Sequence, residues 1–152
     1  MKRKIDLSMQ LTQNFTLREF VDSATAQRLG IDNTPQWQHV VALLNLCRNV
    51  LQPLRDHIGR PIVINSGYRC ETLNEAVHGV GRSQHLLGEA ADLHISNIAE
   101  GRLFYDFILT HCPFDQLLFE YNRCGAIWIH VSCKQEVVKN RRMALPNYHV
   151  KQ

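Results

Sequence analysis

Three short segments carry side chains that suit a divalent metal: Ser83-Gln84-His85, Ala90-Ala91-Asp92 and Trp128-Ile129-His130. Zinc in hydrolytic sites takes three protein ligands from His and Asp or Glu and keeps a position for water. Two His and one Asp would meet that need, with His85 in a loop before Gly88, Asp92 on a strand and His130 on a closing strand. Composition alone does not single out this triple, because a chain with eight His contains many others.

The elements that must position these residues can be read along the chain. Thr16-x-x-Glu19 has capping-box spacing and Leu17, Phe20, Val21 and Ala24 follow at helical intervals, so a short helix starts at Thr16. A second stretch, Ser23 to Leu29, ends at Gly30, the place of a left-handed cap. Thr34-Pro35 reads as a cap followed by proline at the first helical position. Trp37, Val40, Val41, Leu44, Leu51, Leu54 and Ile58 then trace an apolar stripe to Gly59, the main core helix, which Pro53 should kink or divide.

From Pro61 to Asn65 the pattern is that of a strand, ended by Ser66-Gly67. Residues 71–77 fit a helical turn, and 77–82 a loop with two glycines. Ala90 to Ile95 reads as a strand, and Asn97-x-x-Glu100 caps a helix through Leu103, Phe104, Phe107 and Ile108. Phe114 to Tyr121 and Ile127 to Ser132 are two strands joined by a turn with Asn122 and Gly125. The last twenty residues are polar and poorly periodic. This order predicts an α+β fold, a small mainly antiparallel sheet flanked by helices. Residues 1–152 are expected to form a single domain, helical over about 15–59 and sheet-bearing over about 61–133, with a polar tail.

With 45% hydrophobic and 20% charged residues, eight Gly and five Pro, the chain is neither collagen-like, low-complexity nor disordered. A net charge of +3 without a long basic run implies no nucleic-acid partner, and only Arg141-Arg142 hints at one. No stretch approaches the ~18 apolar residues of a membrane span. Met1-Lys2-Arg3-Lys4 is not followed by the apolar segment of a signal peptide, so the chain as written is not addressed for secretion. Five Cys without a scaffold spacing fit a reducing compartment and buried or incidental thiols. A monomer is the default expectation.

Taken together, Ser66-Gly-Tyr-Arg69, Leu73-Asn74, Ser83-Gln-His85-Leu-Leu-Gly88-Glu-Ala-Ala-Asp92 and Trp128-Ile-His-Val-Ser132 resemble the zinc D-alanyl-D-alanine carboxypeptidases and related endolysin peptidases. His-x6-Asp followed by a distant Trp-x-His strand carries the resemblance, and Phe114-Asp-Gln116 and the upstream helices fit the small members. The resemblance implies an antiparallel sheet as the floor of a cleft, with one Zn2+ held by His85, Asp92 and His130. Such a centre has a net charge of about +1, which acidifies water and polarises a peptide carbonyl. It further implies peptidoglycan stem peptides as partners, cut at or near D-Ala-D-Ala. That substrate lies outside the membrane, in tension with the missing leader, and suggests a phage or prophage lysis enzyme or a chain trimmed of its leader.

A general base is also needed. Many relatives place an acid three positions before the last histidine, where this chain has Ile127. Glu120, near the end of the preceding strand, is the expected substitute, ahead of Asp115 and Glu89. Arg69 is expected to grip a terminal carboxylate, since a planar guanidinium makes two parallel hydrogen bonds. Ser83 and Gln84 are expected to hydrogen-bond substrate or orient their loop. His94, two residues after Asp92, would face the site as a neighbour or pack in the core, and His78 would border the cleft. His39, His57, His111 and His149 are expected to be solvated, and Trp128 to be a core aromatic. One rival is a zinc- or peptidoglycan-binding module without turnover, which Ile127 keeps open; another is a relative of the family's signalling-domain cousins, which keep the zinc fold without a known peptidase role.

Overall fold

In a computed structural model, the chain is described over residues 3–150, with side chains described through Leu145. Met1 and Lys2 of the basic N-terminus, and the side chain of His149, lie outside the described residues.

A small hairpin not foreseen from the sequence, β1 (Gln10–Thr12) and β2 (Phe15–Thr16), opens the fold. Helix α1 (Leu17–Val21) starts as the capping box predicts, the Thr16 N–H donating to Glu19 Oε2 at 2.7 Å. Helix α2 (Ala24–Leu29) is capped by Ser23 Oγ, which accepts from the Ala26 N–H, and ends at Gly30 with φ 67°.

The main helix does not begin at Thr34-Pro35. The Thr34 N–H donates to Asp32 Oδ1 at 2.9 Å, a local turn that competes with helix, and α3 (Trp37–Leu46) starts after Gln36. Near Pro53 the helical run is divided, as expected. A π-helical turn at Cys47–Leu51 leads into α4 (Gln52–Ile58), so the missing N–H of Pro53 falls in a first turn where none is needed.

The second half builds the sheet. Strand β3 (Ile64–Ser66) lies three residues later than Pro61, which has no N–H to donate to a ladder. Helix α5 (Glu71–Ala76) follows, then β4 (Ala90–His94) and α6 (Ile98–His111), capped by Asn97 Oδ1 accepting from the Glu100 N–H at 2.8 Å. Strands β5 (Gln116–Tyr121) and β6 (Ile127–Ser132) close the predicted hairpin.

The tail, expected to be irregular, contributes a further strand, β7 (Met143–Val150), parallel to β5. What holds it is not periodicity but Asp115, fully buried, which grips Arg141 just before the strand, while the Met143 N–H donates to the Asp115 carbonyl. The sheet order is β3-β4-β6-β5-β7, so the α+β class with a mainly antiparallel sheet holds.

Alternation along the strands separates two faces. Ala91, Leu93, Leu117, Phe119, Ile129 and Val131 are buried against Leu43, Leu46, Leu51, Leu54, Phe104 and Ile108 of the helices. The opposite face carries Asp92, Leu118, Glu120 and His130. Among the described residues no helix is long and apolar enough to cross a membrane.

Candidate metal centre

Asp92 on β4 and His130 on β6 stand directly opposite each other in the antiparallel ladder, and His130 Nδ1 lies 2.9 Å from Asp92 Oδ1. His85 arrives from a short 3-10 turn, Gln84–Leu87, capped by Ser83 Oγ accepting from the His85 N–H at 3.2 Å and closed by Gly88 at φ 75°. Gly88 is required there, because a Cβ would also meet the His39 carbonyl at 2.7 Å. The three side chains are buried, and one ligand atom from each lies within 4.8 Å of the others.

The imidazole of His85 is oriented from behind. Its Nδ1 lies 2.6 Å from the Gly67 carbonyl, which can only accept, so Nδ1 carries the proton and Nε2 presents a lone pair. Nε2 is buried without a hydrogen-bond partner, and it faces Asp92 Oδ2 at 3.4 Å. Two acceptor atoms turned toward each other in a buried site are stabilised by a cation between them. Burial also holds the His85 pKa below its ordinary value, so the imidazole stays neutral, the form that binds metal. Burial works against the Asp92 carboxylate, which the His130 Nδ1–H meets at 2.9 Å and whose charge a cation beside its other oxygen would offset. The donor set of two neutral imidazoles and a carboxylate therefore fits a divalent metal such as zinc.

The two histidines open on a cavity of about 310 Å³ whose lining includes Arg69, Ser83, Gln84 and Glu120. Every site residue expected from the sequence thus lies at this cavity or, for Asp92, between its histidines. Arg69 is buried; its Nη2 donates to Ser83 Oγ at 3.4 Å and its Nε has no partner. Burial lowers its pKa from the ordinary value against the pull of Asp92 and Glu120, and a guanidinium remains a cation under such a shift. Glu120 is buried on the site face of β5, two residues after Leu118, which stands opposite His130.

The other candidates separate. Asp115 is fully buried and committed to Arg141 and Lys134, so it is structural. Glu89 is half-buried, held by the Gln84 side chain, and does not line the cavity. His94, expected as a site neighbour or core residue, is exposed beyond the end of the site, and Trp128 opposite it is half-buried instead of core. His78 is exposed and does not border the cavity. His39 is not simply solvated: its ring stacks on Tyr68 at 4.5 Å and accepts the Gln36 N–H. His57 and His111 are exposed and stack on Phe107.

The Arg141-Arg142 pair is used internally, Arg141 on Asp115 and Arg142 on the Cys112 and Leu109 carbonyls. Cys47, Cys112 and Cys133 are buried free thiols, and burial pushes the Cys112 thiol up to about 11. Sequence reasoning missed the Gly67 carbonyl behind His85, and Arg82 and Arg141 in the cavity wall. The sequence carries no signal for this carbonyl; the structure shows that its turn needs glycine, since a Cβ at Gly67 would meet the Phe20 backbone at 2.6 Å.

No curated protein matches the chain. The family model described as Peptidase M15 matches residues 13–132, a span that contains His85, Asp92, His130, Arg69 and Glu120. With most of its length inside that match and a His-Asp-His group able to hold a metal, the chain belongs to the Peptidase M15 family, a family of zinc metallopeptidases.

Proposed function

We propose that the protein is a zinc peptidase that hydrolyses peptidoglycan stem peptides at or near D-Ala-D-Ala, as a carboxypeptidase or an endolysin-type endopeptidase. The observation that carries this reading is one cavity that brings together the His85 and His130 imidazoles, the Arg69 guanidinium and the Glu120 carboxylate. His85, Asp92 and His130 would hold the ion, which when bound supplies Lewis-acid chemistry: it polarises a carbonyl and acidifies water. Arg69 receives the terminal carboxylate of the peptide and fixes the register of the chain in the cleft. Glu120 takes a proton from the attacking water on a carboxylate oxygen and returns it to the departing amine nitrogen. Ser83 and Gln84 support the loop that carries His85 and offer hydrogen bonds along the cleft.

The test is digestion of purified muropeptides, read by mass spectrometry, with and without a chelator. Release of D-Ala or of cut stem peptides by metal-replete protein, abolished by chelation, supports the proposal. Metal-replete protein that binds the peptides but releases neither product is a binding module and overturns it.

A further inference from the structure

Among the described residues, the cavity beside the metal-ligand group carries three guanidinium groups, of Arg69, Arg82 and Arg141, against one lining carboxylate, Glu120. The function proposed above uses only Arg69. The other two stand on built supports. Arg82 lies in a turn closed by the Ser83 N–H donating to the Val80 carbonyl at 3.1 Å. The same carbonyl accepts from Nδ2 of the buried Asn74 at 2.9 Å, and Gly79 packs so closely that a Cβ there would collide with Asn74 Oδ1. The Arg82 side chain is exposed in the cavity wall and meets no carboxylate among the described residues. Arg141 is held by the fully buried Asp115 through Nε at 3.1 Å and Nη2 at 2.6 Å, which fixes the guanidinium plane and leaves Nη1 outside the pair.

We propose that Arg82 and Arg141 form a second carboxylate subsite, so that the preferred substrate is an acidic peptide with one carboxylate for Arg69 and another near the scissile bond. The inference rests on the reading of this cavity as a peptide cleft. Concave walls of one charge sign concentrate the field felt by a ligand, and guanidinium–carboxylate pairs add charge-assisted, directional hydrogen bonds. With Arg141 partly neutralised by Asp115, Arg82 supplies most of the uncompensated charge.

The experiment is calorimetric binding of tetrapeptides ending in D-Ala-D-Ala that carry Glu at one of the other positions, each compared with its Gln counterpart. Zinc-loaded Glu120→Gln protein keeps the peptides intact, and mass spectrometry verifies this. At one position Glu binds roughly five- to tenfold tighter than Gln, the scale of a partly exposed charge-assisted contact. Adding Arg82→Gln reduces that preference below twofold and leaves the Gln peptides unaffected. No preference at any position, or a preference that survives Arg82→Gln, overturns the proposal. If the preference is present while the unsubstituted protein hydrolyses none of the peptides, the peptidase reading fails and the subsite stands.

Discussion

At the scale of single residues, the proposed mechanism gives metal holding and proton transfer to different side chains. His85, Asp92 and His130 face one another, whereas Glu120 sits on a neighbouring strand in the same cavity. Glu120→Gln should therefore lower kcat by roughly 10²–10⁴-fold, the usual contribution of a general base, with zinc content unchanged. Full activity in that variant would remove the base assignment. Arg69→Lys should raise KM on the order of tenfold, because a lysine cannot reproduce the planar two-bond grip on a carboxylate; steady-state kinetics on stem peptides checks it. The metal-ligand triple was legible through the resemblance that its short segments carry, and Glu120 because the hairpin of β5 and β6 could bring it alongside His130. The Gly67 carbonyl was not, since a backbone acceptor behind an imidazole leaves no side-chain signature.

At the scale of elements, the turn after β3 and the approach to β7 decide whether the site is rigid. Gly67→Ala forces a Cβ against the Phe20 backbone and moves the carbonyl that orients His85. It should cost about 1–3 kcal/mol in chemical denaturation and weaken zinc binding together. Asp115 has a different function. Burial pushes its carboxyl up, but hydrogen bonds from Arg141 outweigh that and hold its pKa below the ordinary value. A depressed carboxyl pKa adds stability above the unfolded value of about 3.9, and that stability is lost as pH falls through the lower folded value. Asp115→Asn should cost about 1–3 kcal/mol near neutrality, and melting curves from pH 7 to pH 3 should show the gap to the unsubstituted chain closing in acid. Half the Arg141 side chain is exposed, which keeps the figure at the modest end. The tail strand escaped sequence reading because an ion pair to the buried Asp115, distant in sequence, anchors it, not an apolar pattern.

At the scale of the whole molecule, the helices form one side of a shared core and the sheet presents the other face to the cleft. The α+β order, the helix caps at Thr16 and Asn97 and the β5–β6 hairpin could be read from local spacing. The π-turn before Pro53 and the start of α3 could not, because they arise where two local preferences compete. Strands β4 and β6 and the 84–87 turn bring His85, Asp92 and His130 together, where we propose that one catalytic zinc binds. Zinc titration by calorimetry into metal-depleted protein tests it most directly. The account predicts one zinc per chain, with binding lost in His85→Ala and in His130→Ala proteins that remain folded by circular dichroism. A folded, unsubstituted chain that takes up no zinc would contradict it.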